Sequence, residues 1–302
     1  MAGIGESTSL NFNLSTLTGQ FPWWGKIVAK IIFSRLLKEY WTGKRQGPFL
    51  FGKMEDPAYA YGVFKKHFDP VELQRPCDGF VGLELGPGDS LFSGMVAHAF
   101  GASAYYLIDA GANAQTDLKY YHAMARFLEE LGLKAPKIEG ARSLESVLST
   151  CGATYGTSGL ASLRAVPDRS IDYIFSHTVL QHLRRAEFLE TMHQLRRVLR
   201  PGGVCSHVVD LKDMLGGRLN NLRFSDTFWE SHFMSKSGFY TNRIRYSEML
   251  TLFTCAGFRV EVVEKKCWDK LPTPRSKMVD PFRHLPEEDL CVSDFAVVLR
   301  TN

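Results

Sequence analysis

The sequence predicts an α/β fold in which seven mostly parallel strands form one sheet with helices on both faces. Three observations carry this. From residue 79 onward, short apolar runs alternate with segments whose apolar residues recur at helical spacing, the pattern of a sheet wound by crossover helices. The first apolar run breaks into Gly86-Pro87-Gly88 and resumes as an amphipathic helix, a strand–turn–helix unit. Polar residues recur where the apolar runs stop, which is where such sheets bind ligands.

Taken in order, strands are expected over residues 79–85, 104–109, 171–176, 204–209, 258–263 and 291–299, while segment 151–166 is ambiguous, with a short strand near 153–155 as one reading. Helices are expected over 90–99, 114–131, 143–150, 185–199 and 247–256. In the helix over 185–199, Phe188, Met192, Leu195 and Leu199 share one face. Gly132 and Gly257 close their helices, because glycine takes the left-handed cap without a Cβ penalty. Pro201-Gly202-Gly203 stops another. The aromatic, polar segment over residues 211–245 breaks the alternation and reads as a lid-like insertion.

The first 77 residues read as an arm and helical extension ahead of a main domain over 78–302. Residues 1–20 are rich in Ser, Thr, Gly and Asn and predict a loose arm. Residues 22–42 predict a helix opened by Pro22, and residues 57–69 a second one. Between Trp23 and Lys53 seven Lys or Arg face one acid, Glu39. With Trp23, Trp24 and Trp41, this makes residues 22–45 a candidate peripheral membrane contact, against the plainer reading of a helix packed on the main domain. No apolar run reaches the length of a membrane span, and no leader is recognised ahead of Glu6.

A net charge of +4 is too mild for a nucleic-acid-binding surface, so nucleic acid is not expected as a partner. Six scattered cysteines without a C-x-x-C pair suggest free thiols and a cytoplasmic home. No metal site is expected, since Asp210 and Asp213 alone make too small a ligand set.

The candidate ligand site gathers at strand ends. Gly86 and Gly88 let backbone approach a ligand closely, with Pro87 between them. Glu84 is a carboxylate at the end of a buried strand and needs a partner. Asp109 ends the second strand 23 residues beyond Gly86, the offset at which an acid takes ribose hydroxyls. A pyrophosphate site would need a third glycine where Leu91 stands. A nucleoside ligand without phosphate fits better.

These residues resemble the class I S-adenosylmethionine-dependent methyltransferases, of the small-molecule or glycan type. Glu84-Leu85-Gly86-Pro87-Gly88-Asp89-Ser90 resembles the family's first motif, with Ser90 in place of its last glycine. The segments Pro167–Leu183, Leu195–Gly203 and Ala256–Val260 resemble its later landmarks, in order over roughly residues 79–300. The resemblance implies a Rossmann-like fold and S-adenosyl-L-methionine as cofactor. It implies that Glu84, Gly86, Pro87, Gly88, Asp109, Ala110, Ser158, Ser176 and His177 form the cofactor site. The acid that the family often places after its third strand is missing, and Thr157 or Ser158 stands in its loop.

The expected reaction is methyl transfer to a small-molecule or glycan acceptor, on a hydroxyl. The alternatives are N- or C-methylation of a small metabolite, and a cofactor-binding scaffold without catalysis. A hydroxyl acceptor is helped by a general base. His182 is the first candidate and His207 the second, both near strand ends. Arg243 and Arg245 are candidates for recognising an anionic group of the acceptor, and Asp210 for orienting a hydroxyl.

Overall fold

The computed structural model describes residues 54–71 and 79–301, together with Gly25. The expected arm, the expected basic helix with its candidate membrane contact, and the expected boundary near residues 76–78 therefore lie outside the described residues. Helix α1 (Pro57–Phe68) is capped by Asp56, whose side chain accepts from the Ala58 and Tyr59 N–H groups. Its Ala60, Val63, Phe64, His67 and Phe68 are buried at helical spacing and form one stripe. That stripe lies directly on the sheet. Phe64 meets Phe175 edge-on at 5.9 Å and Phe68 meets Tyr173 at 5.3 Å.

The sheet comprises β1 (Val81–Leu85), β2 (Ala104–Ile108), β3 (Ala153–Gly156), β4 (Ile171–His177), β5 (Leu199–Asp210), β6 (Phe258–Cys267) and β7 (Val292–Thr301). Their order is β3-β2-β1-β4-β5-β7-β6, with β7 antiparallel to both its neighbours and the other pairs parallel. The chain winds outward from β1 to β3 and then restarts at β4. The crevice between β1 and β4 is therefore the switch point at which ligands bind.

Helices α2 (Phe92–Ala99), α3 (Leu118–Glu130) and α4 (Leu144–Thr150) cover the α1 face. Helices α5 (Leu160–Arg164), α6 (Arg185–Val198) and, beyond the insertion, a helix over Tyr246–Cys255 cover the other. Strand alternation divides the two cores: Tyr173 and Phe175 point to the first, Ile174 to the second.

Two strands exceed their expected bounds. β5 begins at Leu199 because Leu199 pairs with Ile171, and the register slips before Tyr173 pairs with Val204. Pro201-Gly202-Gly203 is thus a bulged corner inside the strand, with Gly202 at φ 78. A Cβ on Gly203 would stand 2.9 Å from the Arg200 carbonyl oxygen. β6 continues to Cys267 as an exposed edge, so its pairing with β7 outlasts its apolar pattern.

The insertion carries a 3₁₀ turn (Asn220–Arg223) and the one-turn helices α7 (Asp226–Trp229) and α8 (His232–Ser235), before α9 (Tyr246–Cys255). Leu219 and Leu222 pack with Met278, Phe282 and Leu290, the last from α10 (Glu287–Leu290). Arg243 lies buried between the Trp229 and Phe282 rings, donates to the Phe224 carbonyl at 2.7 Å and pairs with Asp226. Arg245 is buried too. It donates to the carbonyls of Leu211 (2.9 Å), Leu290 (3.0 Å) and Val292 (2.7 Å). Both were expected to recognise an anionic acceptor. That expectation is corrected, because the end nitrogens of each guanidinium are committed to carbonyls and, for Arg243, to Asp226.

Arg245 ties the ends of β5 and α10 and the start of β7 to one side chain. Arg245→Met should cost about 3 kcal/mol or more, since several buried carbonyls lose their donor. Arg164→Met, which removes an exposed ion pair with Glu190, should cost under about 1 kcal/mol. Urea unfolding of the three proteins measures both. Equal losses would contradict the role given to Arg245.

Candidate active site

β1 ends in a turn that only glycine takes easily. Gly86 and Gly88 sit at φ 75 and φ 67. Gly86 donates its N–H to the Ile108 carbonyl at 2.7 Å. A Cβ there would stand 2.5 Å from the Val179 side chain, so Gly86 is demanded by the protein's own packing. At Gly88 a Cβ would meet nothing within 4 Å. Gly88 is therefore the glycine whose backbone faces open space, while Pro87 beside it is buried.

Asp109, just past the end of β2, holds this turn. Its Oδ2 accepts from the Gly88 N–H at 3.1 Å. Its Oδ1 accepts from the Ala110 N–H at 2.6 Å and from Asn113 Nδ2 at 3.1 Å. A carboxylate has about four acceptor positions, so one is left while Asn113 stays in place. Asn113 is exposed and can turn away, which would free a second. The Asp109 carbonyl accepts from Gly159 at 2.8 Å, bringing the Ser158 loop alongside. Ser158 is exposed, and its N–H donates to Ser162 Oγ. The sequence reading placed Asp109, Ala110 and Ser158 together, as found, and missed Asn113.

Glu84 lies beneath the turn, 2% exposed, accepting a short hydrogen bond from Ser93 of α2. The sequence reading placed it in the cofactor site as a carboxylate in need of a partner. Its depth and its bond to Ser93 place it in the support of the turn instead. Ser93 was not foreseen, although a serine on the buried face of α2 is a signal that some buried acceptor needs it.

The three histidines near the strand ends differ in depth. His207 is fully buried, bonded to Ser176 Oγ at 2.8 Å and stacked on Phe253 of α9. Burial lowers its pKa to about 3. Ser176 is equally buried. Neither reaches the surface, so the catalytic reading of His207 and the cofactor contact of Ser176 are corrected.

His177 is half-buried at the end of β4. Its Nδ1 lies 3.0 Å from Nε2 of His67 on α1, whose Nδ1 lies 2.8 Å from Ser206 Oγ. Burial lowers both histidines' pKa values, that of His177 to about 4. His67 was missed, yet a histidine in the apolar stripe of α1 carried the signal.

His182 ends a 3₁₀ turn (Leu180–His182) after β4 and is exposed by surface area. Packing around its nitrogens nevertheless lowers its pKa, while the Tyr240 carbonyl and the Asp210 carboxylate pull the other way. Its Nδ1 lies 3.0 Å from the Tyr240 carbonyl oxygen. A carbonyl only accepts, so Nδ1 carries the proton and Nε2 of the neutral ring keeps its lone pair. Asp210, at the end of β5, forms an ion pair with Lys212 at 3.1 Å. Asp213 accepts from the Leu215 and Asn220 N–H groups and so caps the loop.

Residues 83–206 match a family described as "Methyltransferase domain". Among solved structures, an S-adenosylmethionine-dependent methyltransferase from Mesorhizobium loti is 18% identical, with a TM-score of 0.44, covering 81% of this chain and 100% of that one. Another from Archaeoglobus fulgidus is 11% identical, with a TM-score of 0.43, covering 82% and 95%. An arsenic(III) S-adenosylmethionine methyltransferase from Chlamydomonas reinhardtii is 15% identical, with a TM-score of 0.42, covering 80% and 72%. No curated protein matches the chain. Residues 83–206, which include the β1 turn and Asp109, thus carry a methyltransferase domain of the S-adenosylmethionine-dependent kind.

Proposed function

We propose that the chain methylates a hydroxyl of a small-molecule or glycan acceptor, with His182 as general base. One observation carries this reading. The Tyr240 carbonyl fixes the His182 tautomer and leaves Nε2 bare at the C-terminal edge of the sheet, next to the switch point. A neutral imidazole with a free lone pair can take a hydroxyl proton. The influence of Asp210 on His182 would steady the imidazolium that results.

The residues present fit the cofactor. Gly88 offers open backbone, and Asp109 keeps acceptor capacity for ribose hydroxyls. The exposed Ser158 loop stands beside them for the adenine. When bound, S-adenosylmethionine supplies a methyl group already activated on a sulfonium sulfur. The chain's remaining work is to hold acceptor and donor in line and keep water out.

Glu84 contributes by remaining uncharged. Burial, together with the neighbouring Asp109 carboxylate and against the opposing Ser93 bond, raises its pKa to about 8. At neutral pH the side chain is mostly protonated, and the turn above it sits on a neutral hydrogen-bonded pair.

Three outcomes test these assignments. Asp109→Ala should weaken S-adenosylmethionine binding about tenfold or more in calorimetry, because hydrogen bonds to a charged acceptor are lost. Unchanged affinity would remove Asp109 from the site. His182→Gln should lower transfer of tritiated methyl to glycan or small-molecule fractions about a hundredfold, with cofactor affinity unaltered. Unchanged turnover would dismiss His182 as the base.

The third outcome follows from linkage. The folded Glu84 titrates near pH 8, whereas its ordinary value is 4.5. Between these values the folded state keeps a proton that the unfolded chain has lost, so rising pH costs the wild type stability. Glu84→Gln lacks that titration. Its melting temperature relative to wild type should climb from pH 5 to pH 8 by about 3 °C or more, then level off. A difference that stays constant with pH would refute the buried, protonated carboxyl.

A further inference from the structure

His67 is the polar member of the buried stripe of α1. Its ring is fully buried and stacks on Phe175 at 5.0 Å. Each of its nitrogens has a partner. Nδ1 lies 2.8 Å from Ser206 Oγ, and Nε2 lies 3.0 Å from His177 Nδ1. The chain of groups ends at His177, which is half-buried at the end of β4 and has no hydrogen-bond partner on Nε2 among the described residues. Proton removal by His182 uses none of these groups. A phenylalanine would fill the stripe without the cost of burying an imidazole, so the histidine is explained by what it holds.

The protons along the chain follow from its donors. The Ser206 hydroxyl is 7% exposed, and its hydrogen-bond partner is His67 Nδ1. A buried hydroxyl proton needs an acceptor. Ser206 therefore donates, and His67 Nδ1 accepts with its lone pair. Burial lowers the pKa values of His67 and His177, so each ring is neutral and carries one N–H. The His67 proton then stands on Nε2 and is donated to His177 Nδ1. The His177 proton stands on Nε2. The reverse arrangement would leave the Ser206 proton without an acceptor. The Ser206 carbonyl also acts on the His67 ring, but it belongs to the ladder of β5 with its neighbours.

Strand alternation sets this N–H beside the cofactor site. His177, in step with Tyr173 and Phe175, and Glu84, bonded to Ser93 of α2, project from the same face on the two sides of the switch point. The strand order β2-β1-β4 means that a ligand held by Asp109 and crossing the β1 turn reaches the end of β4 next. S-adenosylmethionine has one anionic group, the carboxylate of its amino-acid tail. A neutral N–H donor suits a carboxylate and adds no positive charge beside the sulfonium. The Lys66 ammonium acts on the same ring, which favours the carboxylate over the tail's ammonium. We propose that His177 Nε2–H binds the cofactor carboxylate, and that His67 is the positioning residue that fixes the tautomer and orientation of His177. The proposal rests on the cofactor and is independent of His182 as base.

The test titrates the full chain calorimetrically with S-adenosylhomocysteine and with S-adenosyl-3-thiopropylamine, which lacks only the carboxylate. His177→Phe should weaken S-adenosylhomocysteine about tenfold and change the thiopropylamine by less than about twofold. His67→Phe keeps the stack on Phe175 and should show the same selective loss, about fivefold, while His67→Gln keeps an N–H donor and should recover most of it. The double phenylalanine variant should lose no more than His177→Phe alone. Losses shared equally by the two ligands would make these residues merely structural and overturn the proposal, as would unchanged affinities. Nitrogen NMR of the unliganded wild type needs no variant. Both histidines should show a protonated Nε2 and a bare Nδ1, and a proton on His177 Nδ1 would overturn the proposal. A wild type that binds neither nucleoside would strike the cofactor assignment itself, whereas one that binds both alike would strike this proposal alone.

Discussion

The hydrogen bond from the Gly88 N–H to the Asp109 carboxylate holds the turn after β1 against the end of β2. Parallel pairing sets Leu85 level with Ile108, and Gly86 closes onto the Ile108 carbonyl. One residue later, Asp109 receives Gly88, Ala110 and Asn113 on its side chain and Gly159 on its backbone. Loops after three strands thus converge on one residue. A site assembled this way is organised before any ligand arrives, so little binding energy is spent on ordering it.

Most of the fold was legible because it rests on local signals. Apolar runs, helical stripes and glycine caps place six of the seven strands and the main helices, while β3 (Ala153–Gly156) is short and without an apolar run, which left its segment ambiguous. The exceptions have long-range causes. β5 begins early because Leu199 finds Ile171 across the sheet, and β6 outlasts its apolar pattern because β7 continues to pair with it. Gly88 and Asp109 were legible as a pair, because their spacing follows from one strand–helix–strand unit. The arginines were misread for a similar long-range reason. Two arginines flanking Ile244 look alike whether they meet a substrate or a ring of carbonyls, and the carbonyls come from residues far along the chain.

Depth, more than position along the chain, separates the histidines. Ser176 and His207 stand opposite each other in the β4–β5 pairing and face the α9 side, which closes over them. One residue on, His177 points to the other face, where His67 meets it. His182 lies beyond the strand, where the pleat no longer governs direction and a carbonyl from the insertion fixes the ring. No spacing rule distinguishes these three environments. They depend on what the insertion and α1 bring to the sheet.

The charge pattern fits the chemistry. In the proposed reaction, a methyl group leaving a sulfonium for a neutral hydroxyl disperses positive charge as the reaction proceeds. Negative charge set against the donor would favour the cationic ground state over the transition state and slow the step. Around the switch point the chain buries Glu84 with a pKa raised to about 8, and keeps His177 neutral with one lowered to about 4. The carboxylate of Asp109 is spread over three donors, and that of Asp210 is paired with Lys212. Fixed charge near the donor is thereby muted. What remains around the switch point is hydrogen-bond geometry: the His182 ring fixed by the Tyr240 carbonyl, and the Gly88 backbone held by the Asp109 carboxylate.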